Sequence, residues 1–286
     1  MILGAHMPTK GGVPTALKEG RRIGCGVVQL FVKNNLQWTG QAYPESLVSE
    51  FNQERAAGRF HTVFAHTGYL INLGAPGGPN RKKSIDSLVH ELELAASLNL
   101  PFAVLHPGSH LGKGETRGLR AIVDGLNDVI AATPDCGVRI ALENTAGQGS
   151  SLGGEIAHLA TIFSRVERRE RLGLCFDTAH FFEAGHPIHT PEGWECIMSE
   201  VDREMGLHQV LAFHLNDSRT PFGSKVDRHA GIGLGCLGLD AFRHIVNDQR
   251  FATTPGCLET PKSADLHEDI ENMERLRSLL LRGGGG

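Results

Sequence analysis

The sequence predicts an α/β protein, a single (β/α)8 TIM barrel with a metal site at the C-terminal ends of its strands. First, the chain has 286 residues, close to the roughly 250 residues of a typical barrel of this kind. Second, short apolar runs alternate with longer amphipathic segments, as in repeated βα units. Third, successive apolar runs end on a histidine or a carboxylate, at the strand ends where such barrels build their active sites.

Eight apolar runs of four to six residues predict the strands. They lie at 2–5, 26–31, 62–66, 102–106, 138–143, 172–177, 210–215 and 256–259. The helical periodicity between them is clearest at 81–98, 117–131, 153–165, 191–205 and 264–281. We expect Pro44, Pro191 and Pro261 at or near helix starts, where a missing N–H costs least.

The alternation of strands and helices continues without a linker or a change in composition. We therefore predict one barrel domain over residues 1–282, followed by a flexible glycine tail at 283–286. The apolar stretches are strand-sized, well short of the ~20 residues of a membrane helix, and no basic leader precedes the first strand. We expect a cytoplasmic protein that does not engage a membrane and works as a monomer, located at the nucleoid in a prokaryote.

The charge and cysteine counts narrow the classes of function. With 28 Lys and Arg against 32 Asp and Glu, the net charge of −4 argues against a globally basic coat for nucleic acid, although a local basic face could still bind it. The six cysteines contain no Cys-x2-Cys pair, so neither a zinc ribbon nor a small disulfide scaffold is indicated. We expect them to be buried apolar residues in a reducing compartment.

The ends of the predicted strands and the loops that follow them carry a set of metal-type ligands. Its members are His66, His106, Glu143, Asp177, His180, His214, Asp227, His229 and Glu259. Five imidazoles and four carboxylates are the ligand mix of borderline divalent metals, above all zinc. A single histidine is more often a core or capping residue, but nine ligands at one end of successive strands are difficult to explain in that way. They are too many for one tetrahedral ion, so they predict a cluster of two or three.

Several other residues resemble functional motifs without the context that such motifs require. His6 ends the first strand and is expected to hydrogen-bond to a ligand, whereas His110 is not expected to bind metal because Pro and Gly precede it. Gly233–Gly238 reads G-x-G-x-x-G, but it follows a polar loop rather than a strand, so a dinucleotide site is not predicted. Ser109 and Ser150 lack the strand-to-helix turn of a nucleophilic serine.

The ligand-bearing segments resemble the endonuclease IV family of apurinic/apyrimidinic endonucleases, which are trinuclear-zinc (β/α)8 barrels. The likeness extends from Gly4-Ala-His6 to Leu258-Glu-Thr260. The segments that carry it are His66-Thr-Gly-Tyr-Leu-Ile-Asn-Leu-Gly74, His106-Pro-Gly-Ser-His110, Glu143-Asn-Thr-Ala-Gly-Gln-Gly-Ser150, Gly173-Leu-Cys-Phe-Asp-Thr-Ala-His180 and the run from His214 to His229.

The resemblance implies three Zn²⁺ ions, with Mn²⁺ as an alternative occupant of one position. The implied ligand sets are His66, His106 and Glu143; Glu143, Asp177, His214 and Glu259; and His180, Asp227 and His229. Glu143, which bridges two ions, and Glu259 would be the catalytic residues. The implied reaction is hydrolysis of double-stranded DNA on the 5′ side of an abasic site, with a 3′-hydroxyl product, and removal of 3′ blocking groups. Clustered zinc supplies the activated water and the charge stabilisation that phosphodiester cleavage needs.

DNA contacts are predicted partly from the resemblance and partly from the position of loop residues. Leu36 stands where the family usually has an arginine that probes the DNA stack, in the segment Lys33-Asn-Asn-Leu36-Gln-Trp38. Tyr69 and Leu70, in the loop after the third strand, are predicted to enter the gap left by an extruded abasic sugar, as apolar wedges do in other DNA-kinking proteins. Lys33 and Arg228 are further predicted DNA contacts.

Two other classes of function remain open at this point. A sugar isomerase or epimerase on a similar barrel binds a single metal through a set very like Glu143, Asp177, His214 and Glu259. Such an enzyme has no need of the five remaining ligands, which therefore favour the nuclease. A catalytically silent DNA-binding or metal-storage protein is disfavoured by the intact bridging-type ligands and by the absence of an extended basic region.

Overall fold

The computed structural model describes residues 1–281, which form a closed barrel of eight parallel strands. The strands are β1 (Ile2–His6), β2 (Val27–Phe31), β3 (Thr62–His66), β4 (Phe102–Leu105), β5 (Arg139–Glu143), β6 (Leu172–Asp177), β7 (Val210–His214) and β8 (Pro255–Leu258). Each strand pairs with its neighbours in chain order, and β8 pairs with β1 to close the barrel. The predicted fold class is confirmed, and every predicted strand is present to within one residue at each end.

Helices follow the strands around the outside of the barrel. They are α1 (Val13–Arg22), α2 (Glu45–Gly58), α3 (Pro79–Ser97), α4 (Glu115–Ala132), α5 (Ile156–Arg165), α6 (Thr178–Ala184), α7 (Pro191–Glu204), α8 (Leu239–Val246) and α9 (His267–Leu279). Pro44 is the N-cap of α2, and Pro191 begins α7, as expected. The prediction for Pro261 was wrong: α9 begins six residues later, after a loop that ends on Leu266 in the left-handed region.

The interior of the barrel explains why the strand ends carry polar side chains. A compact apolar cluster fills it with the side chains of Phe64, Phe102, Val104, Ala141, Cys175, Ala212 and Cys257. Side chains alternate across a strand, so the residue two positions further along points the same way. In β5 Glu143 follows Ala141 in this manner, and in β6 Asp177 follows Cys175. The candidate ligands therefore form the top layer of the barrel interior, above an apolar floor.

The remaining sequence predictions can be placed on this fold. Cys25, Cys175 and Cys257 are buried, as expected, and Cys136 is half-buried, but Cys196 and Cys236 are exposed, so the prediction of buried cysteines was wrong for these two. Cys196 lies on the outward side of α7, and Cys236 lies in the loop before α8. Within residues 1–281, no helix combines the length and the apolar character needed to cross a bilayer. The predicted glycine tail lies outside the described residues.

Candidate metal centre

The nine predicted ligands converge at the C-terminal mouth of the barrel. Four of them are the last residues of their strands, two follow a strand directly, and three lie in the segments beyond β6 and β7. In that order they are His66, Glu143, Asp177 and His214; His106 and Glu259; and His180, Asp227 and His229. Six different strands contribute, so the site exists only once the barrel is closed.

The turn after β6 returns its ligands to the mouth. Asp177 is the N-cap of α6, and its Oδ1 accepts a hydrogen bond of 3.0 Å from the backbone N–H of His180, which satisfies one free donor of the first helical turn. The long loop after β7 is folded back by a short antiparallel ribbon that pairs Ser218 with His229. This ribbon places Asp227 and His229 against His180.

Glu143 lies at the centre of the site and is fully buried. Its Oε2 lies 2.9 Å from His106 Nε2 and 3.2 Å from His66 Nε2, whereas its Oε1 lies 2.8 Å from His214 Nδ1. The two oxygens of one carboxylate therefore face two different groups of histidines. This is the geometry that a carboxylate bridging two cations requires.

Two further groups of ligands adjoin Glu143. His214 Nδ1 lies 3.1 Å from Glu259 Oε2 and 3.9 Å from Asp177 Oδ2. The two oxygens of Asp227 lie 3.3 Å from His180 Nε2 and 3.4 Å from His229 Nε2.

Asp177 links these two groups, since its Oδ2 also lies 3.7 Å from His229 Nε2. At the mouth of the barrel, three groups have ligand atoms close enough to share an ion: His66, His106 and Glu143; Glu143, Asp177, His214 and Glu259; and Asp177, His180 and His229. The implied third set differs from the last of these in naming Asp227 where the structure groups Asp177, although Asp227 contacts both histidines.

Hydrogen bonds orient four of the five imidazoles toward the centre. Their outer nitrogens face carbonyl oxygens: His66 Nδ1 and Thr67 O at 2.7 Å, His180 Nδ1 and Asn144 O at 2.9 Å, His214 Nε2 and Gln29 Oε1 at 2.8 Å, and His229 Nδ1 and Glu259 O at 3.4 Å. A carbonyl oxygen can only accept, so each outer nitrogen carries a proton, and each inner nitrogen is directed at the centre, where it can bind a cation once it has lost its own proton. Metal-binding histidines are held in this way.

The electrostatics of the site indicate that it is built for cations. Among the described residues, none of its four carboxylates pairs with a lysine or an arginine. Burial would raise the pKa of Glu143 and of Glu259, but the neighbouring imidazoles outweigh burial and hold both well below the usual range. Burial would lower the pKa of His214, but nearby acidic groups raise it. Divalent cations can replace the protons that the imidazoles would otherwise hold, so the donor set fits a metal cluster.

Sequence reasoning missed Gln29, a buried amide on β2. Its Nε2 donates to Glu259 Oε1 at 2.5 Å and to His6 Nδ1 at 2.8 Å, and its Oε1 accepts from His214. His6 lies 3.2 Å from the same oxygen of Glu259, and burial lowers the pKa of His6 to about 4, so its imidazole is neutral. The available signal was a polar residue within the apolar run Val27–Phe31.

Two asparagines that the sequence analysis did not assign hold the loops behind the ligands. Asn144 accepts from the N–H of Asp177 at 2.6 Å, and Asn216 donates to Asp177 Oδ2 at 2.6 Å. Asn216 also accepts from the N–H of Glu259 at 2.9 Å. Both amides closely follow a strand-tip ligand in the sequence, and this pattern could have identified them.

A cavity of about 380 Å³ opens above the ligands, and Tyr69 forms part of its wall. Tyr69 is 63% exposed and Leu36 is 69% exposed, so both apolar side chains point outward at the rim. Leu70 is half-buried, and Arg228 is exposed, with its Nη1 donating to the carbonyl oxygen of Asp227 at 2.6 Å. These four predicted DNA contacts therefore lie on loops that surround the mouth.

Lys33, the fifth predicted DNA contact, has a different role. Its side chain is 3% exposed, and its ammonium lies 2.9 Å from the buried carboxylate of Glu91 and 2.5 Å from the carbonyl oxygen of Gln37. Glu91 also accepts from the N–H of Gly68 at 2.9 Å. Lys33 therefore ties the loop of Leu36 to the loop of Tyr69, and its prediction as a DNA contact is corrected to loop anchoring.

The glycine-rich segment Gly233–Gly238 is not a free anion site. Backbone N–H groups of Gly233, Gly235 and Leu237 donate to the buried carboxylate of Asp217 at 2.9 to 3.1 Å. The protein's own anion thus occupies the turn, in agreement with the prediction that it binds no dinucleotide.

Comparisons with known proteins place the chain in a family. Residues 17–279 match the family described as xylose isomerase-like TIM barrel. The chain is 45% identical over 277 residues to the probable endonuclease 4 of Chloroflexus aurantiacus, with 97% of both chains covered. It also superposes on the crystal structure of endonuclease IV from Thermus thermophilus with a TM-score of 0.85, at 31% identity and with 98% of both chains covered.

A more distant likeness concerns the fold alone. A D-tagatose 3-epimerase-like protein matches with a TM-score of 0.73 at 16% identity, over 98% of this chain and 97% of that one. The likeness to the two endonucleases is much closer, and it covers the strand ends that carry the ligands. The chain therefore belongs to the endonuclease IV family of apurinic/apyrimidinic endonucleases.

Proposed function

We propose that this protein is a DNA-repair endonuclease that hydrolyses the phosphodiester on the 5′ side of an abasic site and leaves a 3′-hydroxyl. Family membership supports the reaction class. The observation that carries the proposal is the position of Glu143, whose two oxygens face separate histidine groups within a continuous cluster of nine ligands. Such a cluster suits a phosphodiester, because several cations can neutralise the charge that develops on phosphate and on the leaving oxygen.

We infer three Zn²⁺ ions, held by the three ligand sets that the resemblance implies, with Mn²⁺ as an alternative occupant of one position. Bound zinc would supply an activated water and stabilise negative charge. Glu143 would hold two of the positions at a fixed separation. Glu259 lies 3.1 Å from His214, and Gln29 holds its Oε1, so its carboxylate is positioned to orient the attacking water and to accept its proton.

The rim of the mouth suggests how abasic DNA would be engaged. Tyr69 is exposed at the edge of the cavity, Leu70 follows it in the chain, and Leu36 is exposed on the loop after β2. Extruding a nucleotide costs a few kcal/mol, less where the base is already missing, and side chains that fill the gap offset that cost. Arg228 is exposed next to Asp227, where it can contact a phosphate. We also infer removal of 3′ blocking groups, since a 3′ phosphate ester presents the same bond type to the same cations.

All nine ligands come from one chain, so we infer that the enzyme acts as a monomer on double-stranded DNA. This substrate would place it at the nucleoid of a bacterial cell. The sugar isomerase alternative needs only one ion on Glu143, Asp177, His214 and Glu259. It leaves the buried His66 and His180 without a purpose.

The test combines metal content with product analysis. Purified protein is dialysed and its metal is measured by elemental analysis, and a labelled duplex with a single abasic analogue is then incubated with it. We expect close to three ions per chain and a nick whose 3′ end a polymerase can extend. An undamaged duplex of the same sequence and a panel of ketohexoses are the controls. One ion per chain, no incision and sugar epimerisation would overturn the proposal in favour of the isomerase.

A further inference from the structure

A buried glutamate outside the ligand set connects two parts of the site. Glu183 lies on α6, one helical turn after His180, and it is fully buried. We propose that Glu183 is a positioning residue, which fixes the loop over residues 219–228 so that Asp227 and His229 face His180. This inference rests on the proposed function only where it concerns metal retention.

The hydrogen bonds of Glu183 converge on that loop. Its Oε1 accepts from Ser218 Oγ at 2.6 Å, from the backbone N–H of Arg228 at 3.2 Å and from Thr220 Oγ1 at 3.4 Å. Its backbone carbonyl accepts from the N–H of Lys225 at 2.9 Å. Glu183 thus binds the loop at its start, at its end and at Lys225 in its final turn.

The position of these contacts relates them to the ligands. Arg228 lies between Asp227 and His229, so an acceptor on its N–H sets the height of both side chains above His180. Ser218 pairs with His229 in the antiparallel ribbon. Glu183 and His180 share one short helix, so the distance from helix to loop also sets the distance between His180 and the two loop ligands.

One other restraint also joins the loop to α6: the N–H of Gly223 donates to the carbonyl of Phe182 at 3.0 Å, in the middle of the loop and away from Asp227 and His229. Gln148 Oε1 accepts from the N–H of Asp227 at 3.0 Å, and Arg219 N–H donates to the carbonyl of Arg228 at 2.8 Å. Neither of these bonds connects the loop to the helix of His180. Removing a residue that orients a metal ligand typically lowers the affinity for the metal 10- to 100-fold.

Two substitutions of Glu183 distinguish the effect of side-chain length from the effect of side-chain charge. Glu183→Gln keeps the length of the side chain and one acceptor oxygen, whereas Glu183→Asp keeps the charge but withdraws the oxygen by one methylene. In metal-free protein, we expect the amide of Arg228 to exchange with deuterium at least about tenfold faster in Glu183→Asp, and near the wild-type rate in Glu183→Gln. In competition with a chromophoric chelator, Glu183→Asp should release one ion about 10- to 100-fold more readily and retain the others.

Asp248→Asn, at the other end of the barrel, is the matched control, because it alters a largely buried carboxylate with no contact to the site. Wild-type exchange and metal retention in Glu183→Asp would overturn the proposal. A defect in Glu183→Gln that Glu183→Asp lacks would overturn it as well, because charge rather than reach would then be responsible. Amide exchange in the metal-free protein does not depend on catalysis, so a failure of the proposed function would be seen separately, in wild-type incision.

Discussion

The charges of Asp248 and Arg171, towards the N-terminal end of the barrel, are balanced in a different way from those of the four carboxylates of the metal site. Towards the N-terminal end, the carboxylate of Asp248 accepts hydrogen bonds from Trp194 Nε1 at 2.8 Å and from Arg250 Nη2 at 2.7 Å. The buried guanidinium of Arg171 donates to the carbonyl oxygen of Thr133 at 2.9 Å. At the C-terminal end, four carboxylates face five imidazoles, and none of them pairs with a lysine or an arginine in the part of the chain that the structure describes. Asp248 and Arg171 find their partners within the chain, whereas the four carboxylates of the metal site are balanced only when protons or cations are added.

This difference in how charge is balanced indicates which groups contribute to stability and which contribute to function. Pairing a buried charge with a fixed partner of the same chain stabilises the fold, but a charge that is paired in this way does not bind a ligand. Leaving carboxylates without such a partner costs stability, because burying an uncompensated charge is unfavourable. The same arrangement creates a strong site for divalent ions. The predictions below test this contrast, beginning with the largest expected effect.

Replacing the central carboxylate should abolish the chemistry of the C-terminal end. Glu143→Gln removes the charge and the bridging geometry together, and we expect incision of an abasic duplex to fall by about three orders of magnitude or more, since preorganised charge of this kind acts chiefly in the transition state. Single-turnover incision by the folded variant is the measurement.

The circular dichroism spectrum of Glu143→Gln serves as the control for folding. If a folded Glu143→Gln variant turns over at close to the wild-type rate, Glu143 is not central and the contrast between the two ends loses its functional meaning.

Removing metal should lower the stability of the folded protein. An ion present at a thousandfold excess over its dissociation constant stabilises the folded state by about 4 kcal/mol, so we expect chelation to lower the melting temperature by on the order of 10 °C. Differential scanning calorimetry with and without chelator measures the change, and restoring zinc should reverse it. An unchanged melting temperature would mean that no cation balances the buried carboxylates.

A substitution at the balanced end should show the reverse behaviour. Asp248→Ala leaves the indole of Trp194 and the guanidinium of Arg250 without their shared acceptor, and we expect a loss of about 2 kcal/mol in unfolding free energy. Metal content and incision should remain at the wild-type level. Urea unfolding measures the loss of stability, and elemental analysis of the same preparation measures the metal content. A loss of metal would show that the two ends are not independent.

The smallest expected effect concerns the rim. Leu36 is exposed beside the mouth, so Leu36→Arg adds a cation without disturbing packing. We expect several-fold tighter binding to an abasic duplex and a salt slope that is steeper by about one, because one more phosphate contact releases one more counterion. Binding isotherms over a salt series give both values.

Tyr69→Ala is the companion variant to Leu36→Arg, and it should weaken binding without changing metal content. Identical slopes and affinities in wild type and Leu36→Arg would show that this loop does not reach DNA.

The barrel and the convergence of its ligands could be predicted because both depend on short-range patterns. An apolar run that ends on His66 or Glu143 identifies a strand and the residue at which it ends. It also indicates that the side chain of this last residue lies at the C-terminal end of the barrel. Closure of the barrel then brings residues from different strands together without further information.

Contacts between distant side chains could not be predicted. The place of Lys33 in a segment that resembles the family suggested a DNA contact, and nothing in the sequence reveals that Glu91, on a later helix, neutralises its charge. Gln29 and Glu183 were overlooked for the same reason, since a lone polar residue has no spacing signal and its partners lie on other elements. The sharing of Asp177 between two ligand groups depends on distances of a few ångströms that no residue pattern encodes.

The placement of one ligand on nearly every strand also has a consequence for folding kinetics. His6 and Glu259 are in contact although 253 positions separate them along the chain, and they belong to the first and last strands, whose pairing closes the sheet. Contacts of such long range form late, because the loop-closure entropy must be overcome first. A nascent chain that lacks β8 lacks Glu259, so the full set of donors would be assembled only after closure, and a complete metal cluster would stabilise a finished barrel.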